Sequence, residues 1–62
     1  MRDTRRILRM LLLLEKIWNK YPDMRLGQLI VNISRTSDPF YVEDYDLEKW
    51  MGEIIVRGWK ND

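Results

Sequence analysis

Apolar residues recur every three or four positions through the first third of the chain, and this spacing constrains the fold most. The stripe consists of Ile7, Leu11, Leu14, Trp18 and Tyr21. Successive residues of an α-helix are about 100° apart, so such a stripe occupies one helix face. The pattern predicts a helix over 4–20, with Asp3 or Thr4 at its start and Pro22 just beyond its end.

Two further groups of residues define the other sides of this helix. Met10, Leu13 and Ile17 fall beside the stripe, which predicts a wide, largely buried apolar arc. Leu8 and Leu12 fit neither the arc nor the charged side, because they lie one turn apart on the polar flank. The opposite side carries a basic face, which consists of Arg2, Arg5, Arg9, Lys16 and Lys20.

A second, shorter helix is predicted over 24–34, with Asp23 as its N-terminal cap. Gly27 lowers helix stability, so its presence there suggests that another backbone approaches closely. The β-branched content of 29–33 leaves a strand as the alternative. Residues 34–39 are predicted to form a polar loop.

Phe40, Tyr41 and Val42 follow that loop and are predicted to be extended, with the aromatic rings covering the open side of the core. A third helix is predicted over 45–57, with Asp44 as its cap and Gly58 at its end. The alternative is that the helix stops at Gly52 and that 53–59 forms a strand paired with 40–42.

The short chain and its residue usage limit the architecture. Its 62 residues suffice for a single domain, 1–62, and they include neither Cys nor His. Disulfides and most metal sites are therefore excluded, which leaves tight helix packing or self-association as sources of stability. The predicted fold is all-α, a compact three-helix domain with an extended aromatic segment near 40–42.

Charge is unevenly distributed along the chain. The net charge is +1, but residues 1–36 carry +5 and residues 37–62 carry −4. Three explanations stay open: contact with nucleic acid, docking to a complementary partner, or attraction between the two parts within the fold.

One sequence block resembles known proteins. The block runs Ile17-Trp18-Asn19-Lys20-Tyr21-Pro22-Asp23-Met24-Arg25-Leu26-Gly27-Gln28-Leu29-Ile30, and Asp38-Pro39-Phe40-Tyr41-Val42-Glu43-Asp44 and Leu47-Glu48 follow it. It resembles short uncharacterised proteins of bacteria, phages and prophages, and more distantly the YihD-like family of unknown function. The resemblance implies a compact helical protein from a bacterial or phage genome and supplies no catalytic or cofactor residues.

The residue types favour binding over catalysis. Without Cys or His, nucleophilic catalysis of the usual kinds and nearly every zinc site are excluded, and no glycine-rich phosphate loop is present. The acidic residues Asp38, Glu43, Asp44 and Asp46 lack calcium-loop spacing. We therefore predict a non-enzymatic protein with no cofactor and no metal.

Exposed apolar and basic residues provide the predicted binding sites. Leu8 and Leu12 are predicted to mediate self-association or contact with a host protein, unless the third helix or the tail covers them. Trp59, beyond Gly58, is the third predicted contact residue. The alternative function is accessory nucleic-acid binding through the basic face.

The arginines and leucines of 2–14 superficially resemble a signal peptide. The apolar run is short and is followed by Glu15 and Lys16 without a small-residue cleavage site. A cytoplasmic protein is therefore expected, in the host cytoplasm if it is phage-encoded.

Overall fold

The structure, a computed structural model, describes residues 3–59. Within that range the chain forms three α-helices and one short 3-10 turn, with no strand. The elements are α1 (Arg5–Lys20), α2 (Leu26–Ser34), the turn Pro39–Tyr41 and α3 (Asp44–Arg57). The predicted all-α three-helix fold is confirmed, and neither alternative strand, over 29–33 or 53–59, is formed.

α3 is the central element, since it packs against both α1 and α2. The fully or nearly buried apolar side chains are Ile17 from α1, Leu29 and Ile33 from α2, and Met51 and Ile54 from α3. Burying one such side chain contributes about 1.5–3 kcal/mol. A core of this size leaves each of its members important to the stability of the whole chain.

The buried side of α1 differs from the predicted stripe. Ile17 is its fully buried residue, and Met10 and Leu13 are partly buried against the core. Ile7 and Leu11, which were predicted to lie inside, are exposed. The inward side is therefore centred on Met10 and Ile17, because α3 packs along that side of the helix.

α2 begins later than predicted, and Asp23 does not cap it. The N-cap is Arg25, whose backbone N–H donates to Oε1 of Gln28 at 3.0 Å. A turn precedes it, in which the Met24 N–H donates to the Tyr21 carbonyl at 3.1 Å. The Met24 carbonyl in turn accepts a hydrogen bond from the indole Nε1 of Trp18 at 2.9 Å. This link holds Met24 outside the helix.

The end of α2 is fixed by Arg35, which adopts a left-handed conformation with φ 63°. Its guanidinium lies 5.2 Å from the centroid of the Trp50 ring and pairs with Glu53 at 3.0 Å. A non-glycine residue in this conformation is strained. The two contacts with α3 offset that strain and join the end of α2 to α3.

The prediction of an extended aromatic segment over 40–42 is wrong. Pro39–Tyr41 is a 3-10 turn, and only Val42 is extended. Pro39 fixes its own φ, and the Asp38 carboxylate accepts the Phe40 N–H at 3.3 Å. Phe40 and Tyr41 are exposed and do not cover the core.

Gly58, which follows α3, and Gly27, in the first turn of α2, differ in their backbone conformation. α3 begins one residue earlier than predicted, with Glu43 rather than Asp44 as its cap, and ends at Gly58 as expected. Gly58 has φ 79°, a conformation that favours glycine. Gly27 is exposed in the first turn of α2, and no atom from another part of the fold lies within 4 Å of the position that a Cβ would occupy there. The prediction that another backbone approaches Gly27 closely is therefore wrong.

Candidate interaction surfaces

The most apolar exposed surface lies on α1. We define the leucine face as Ile7, Leu8, Leu11 and Leu12, whose exposed fractions lie between 50% and 64%. These residues occupy adjacent turns of one helix side, so their side chains form a continuous patch. Leu8 and Leu12 are exposed, and neither α3 nor Trp59 covers them. Their predicted role in contact with a partner stays a prediction.

Helix geometry explains why this face points outward. The consecutive residues Leu11 to Leu14 are spread through about 300° around the helix, so they cannot all reach one core. Leu13 and Leu14 are partly buried, whereas Leu11 and Leu12 are exposed. The four-leucine run thus indicates that some of these residues face outward, without selecting which ones.

A shallow depression continues the leucine face toward the end of α1. Its volume is about 480 Å³. It is lined by Leu11, Leu14, Glu15, Trp18, Asn19 and Pro22. Most of this lining is apolar, so the depression extends the region that a partner could cover.

The basic face is partly neutralised within the fold. Arg5 pairs with Asp3 at 3.0 Å, and the Arg9 guanidinium pairs with Glu48 of α3. Lys16 and Lys20 are exposed and make no ion pair with any residue in 3–59. Arg2 lies outside the described residues. The lysines are therefore the clearest basic groups of this face.

The pKa values of the paired groups shift in the directions that ion pairing requires. The Arg5 side chain and its backbone N–H both donate to Asp3 and lower the pKa of that carboxyl. The Glu48 carboxylate raises the pKa of Arg9 through its hydrogen bond and its charge. In both cases the charged form is the one that the structure stabilises.

The basic first part and the acidic second part of the chain form ion pairs with each other. Arg6 pairs with Asp44 at 2.9 Å and Arg9 pairs with Glu48, so both pairs join α1 to α3. The Arg35–Glu53 pair likewise joins the basic part of the chain to the acidic part. Attraction between the two parts of the fold thus accounts for a share of the asymmetry.

Trp59 makes contacts within the chain. Its ring centroid lies 5.1 Å from that of Tyr21 in an edge-to-face arrangement, and the side chain packs partly buried against the core. Its predicted contact with an outside partner stays a prediction. Trp18 and Trp50 are also partly buried against the core, in keeping with a structural role.

A second exposed surface contains three aromatic residues, of which Phe40 and Tyr41 were predicted to cover the core. Phe40, Tyr41 and Tyr45 have exposed fractions of 78–82%. The carboxylates of Asp38 and Glu43 accompany them, and we call these five residues the aromatic-acidic surface. The turn signal Asp-Pro before Phe40 was the available hint that these rings do not continue into a strand.

Neither a metal cluster nor a membrane-spanning helix is present in the described part of the chain. Residues 3–59 contain no group of three or more Asp or Glu side chains placed to hold a metal ion. No helix within that range combines the length and the apolar character needed to cross a membrane.

Comparison with protein-family models, with curated proteins and with solved structures finds no match to this chain.

Proposed function

We propose that the protein is a non-enzymatic interaction module that associates with a second copy of itself through the leucine face. The observation that carries this proposal is the exposure of four large apolar side chains on adjacent turns of α1. Contiguous apolar patches on small proteins commonly mark contact surfaces, whereas scattered exposed leucines do not. Self-association also supplies stability that a chain of 62 residues cannot easily obtain alone.

The energetics favour a weak pair. Covering the exposed parts of the leucine face on both copies contributes about 6–12 kcal/mol. Association costs about 4–15 kcal/mol in lost freedom of the two molecules. These ranges overlap, so we expect dissociation constants in the micromolar range or weaker unless the depression beside Trp18 is covered as well.

The borders of the leucine face carry charge. Arg5 and Lys16 flank it on one side, and Glu15 lies among its leucines. A host protein with an apolar face and an acidic border is the other partner that this arrangement suits. A bacterial or phage origin, which the sequence resemblance implies, stays part of this proposal.

The test is the solution mass of the Leu8→Glu, Leu12→Glu double variant. Light scattering over a protein concentration series at low and moderate salt is expected to give a dimer for the parent and a monomer for the variant. The matched control is Val56→Glu, because Val56 is 82% exposed on α3 and lies outside the leucine face. Circular dichroism establishes that both variants remain helical.

Two results would reject self-association through this face. One is a parent chain that stays monomeric at both salts up to the highest concentration reached. The other is a dimer whose mass is unchanged in the double variant. A dimer that Val56→Glu dissociates would place the contact on α3 instead.

The second candidate function is accessory nucleic-acid binding through the basic face. The observation in its favour is that Lys16 and Lys20 are exposed one turn apart without an ion-pair partner in 3–59. Lysines at such spacing can follow a phosphate backbone and release its counterions. The pairing of Arg9 with Glu48 removes one of the cations on which this function would depend.

A further inference from the structure

The aromatic-acidic surface is unusual because its rings are the most exposed aromatics in the described chain. Phe40 and Tyr41 belong to the 3-10 turn, and Tyr45 follows in the first turn of α3. All three rings line one open depression between the turn and the start of α1, with a volume of about 490 Å³. Large aromatic side chains normally gain most by burial. Because these rings are exposed, a partner that covers them would gain the free energy of burying them.

Local hydrogen bonds hold the backbone of the turn that carries Phe40 and Tyr41. Asp38 accepts the Phe40 N–H, and the Val42 N–H donates to the Pro39 carbonyl at 3.1 Å. The Phe40 and Tyr41 centroids are 4.9 Å apart with an interplanar angle of 80°. A turn whose backbone is already ordered loses little backbone freedom on binding.

The charge around the rings is negative. Asp38 and Glu43 are exposed and make no ion pair with any residue of 3–59. Asp44 is paired with Arg6, which also lines the depression. Carboxylates beside open aromatic faces suit a positively charged guest, because both the charge and the π-face attract it.

We infer that the aromatic-acidic surface binds an extended segment of another protein that carries Arg or Lys side chains. The guanidinium or ammonium group would lie over a ring of Phe40, Tyr41 or Tyr45 while its charge faces Asp38 or Glu43. Arg suits the site better than Lys, because its planar group stacks on a ring and pairs with a carboxylate at once.

Nucleic acid is the other macromolecule that binds exposed aromatic rings, by stacking its bases. Such sites combine the rings with a positively charged groove for the backbone. The carboxylates of Asp38 and Glu43, which form no ion pair within residues 3–59, would instead repel phosphates, so charge favours a cationic protein segment. The surface shares no residue with the leucine face, and this inference does not depend on self-association.

The experiment uses an unstructured eight-residue peptide of alternating Gly and Arg, titrated into the full chain and followed by ¹H–¹⁵N NMR. The expected result is saturable shifts centred on residues 38–45. The same peptide with citrulline in place of Arg keeps its shape and loses its charge, so it is expected to bind at least about fivefold more weakly. Single-stranded oligothymidine is titrated in parallel.

Two variants test the named residues separately. Phe40→Ser with Tyr41→Ser removes the rings, and Glu43→Gln removes a charge without changing shape. Each is expected to weaken peptide binding by at least about threefold. Val56→Ser is the matched control, since it removes an equally exposed apolar group elsewhere on α3 and is expected to leave binding unchanged.

Four results would overturn the inference. They are equal binding of the Arg and citrulline peptides, unchanged binding in both the ring and the charge variant, tighter binding of oligothymidine at residues 38–45, and shifts of these residues on dilution of the protein alone. The third would assign the surface to nucleic acid. The fourth would assign it to a second copy of the chain.

Discussion

Arg9 of α1 and Glu48 of α3 form a bidentate ion pair. The Arg9 Nε donates to Glu48 Oε2, and the Arg9 Nη2 donates to Glu48 Oε1 at 3.2 Å. The two residues are 39 positions apart in sequence. Together with the Arg6–Asp44 pair, this pair joins α1 to α3. The buried packing around Ile17 contributes more to the orientation of α1 than such exposed pairs do, and in that orientation the leucine face points outward.

The Arg9–Glu48 pair is expected to couple the two helices energetically. Arg9→Met and Glu48→Gln should each lower the urea midpoint of unfolding, and the double variant should lower it by less than the sum. The coupling should shrink in 1 M NaCl, because salt screens exposed charges. Arg5→Met combined with Glu48→Gln is the control, since Arg5 pairs with Asp3. Strict additivity of Arg9→Met and Glu48→Gln would show that the pair contributes nothing.

Two leucine-to-alanine changes separate the core from the leucine face. Leu29→Ala should destabilise the chain by about 2–5 kcal/mol, because Leu29 is fully buried. Leu8→Ala should change the free energy of unfolding by less than about 0.5 kcal/mol in dilute solution. Urea unfolding followed by circular dichroism measures both. A cost at Leu8 as large as that expected at Leu29 would contradict the described rotation of α1.

Trp59→Ala decides between an internal and an external role for this ring. Its edge contact with Tyr21 predicts a loss of about 1–2 kcal/mol of stability, since aromatic pairs contribute beyond their buried area. The dimer dissociation constant should not change. Tyr45→Ala is the matched control, because that ring is 78% exposed and its loss should alter stability little. A variant of normal stability that no longer associates would give Trp59 the external role predicted from the sequence.

The nucleic-acid candidate is tested most cleanly at Lys16 and Lys20. Reversing Arg9 would also disturb Glu48, whereas the lysines have no such partner in the described chain. If the basic face binds duplex DNA, the Lys16→Glu, Lys20→Glu variant should bind more weakly and lower the salt slope by about 1.8. Lys49→Glu, an exposed lysine of α3, is the control. The absence of any gel shift by the parent chain at low salt would reject this function.

Much of the fold follows from local rules that the sequence displays. The apolar period of 3.6 predicted three helices. Pro22 and Gly58 marked the ends of the first and the third, because proline and a glycine with positive φ do not continue a helix. The start of α2 was not predicted correctly from the sequence. There the Trp18 indole of α1 donates to the carbonyl of Met24 in the turn before α2, a contact that apolar periodicity does not predict.

The exposure of particular side chains was decided by tertiary structure. Apolar residues extend around more than half of α1, so periodicity defines an apolar arc without selecting its inward centre. The packing of α3 and its two ion pairs with α1 make that selection, and they leave Ile7 and Leu11 outside. The exposure of the Phe40 and Tyr41 rings has a local origin instead. Aromatic composition predicts burial, but the hydrogen-bonded turn at Asp38 and Pro39 directs both rings into solvent.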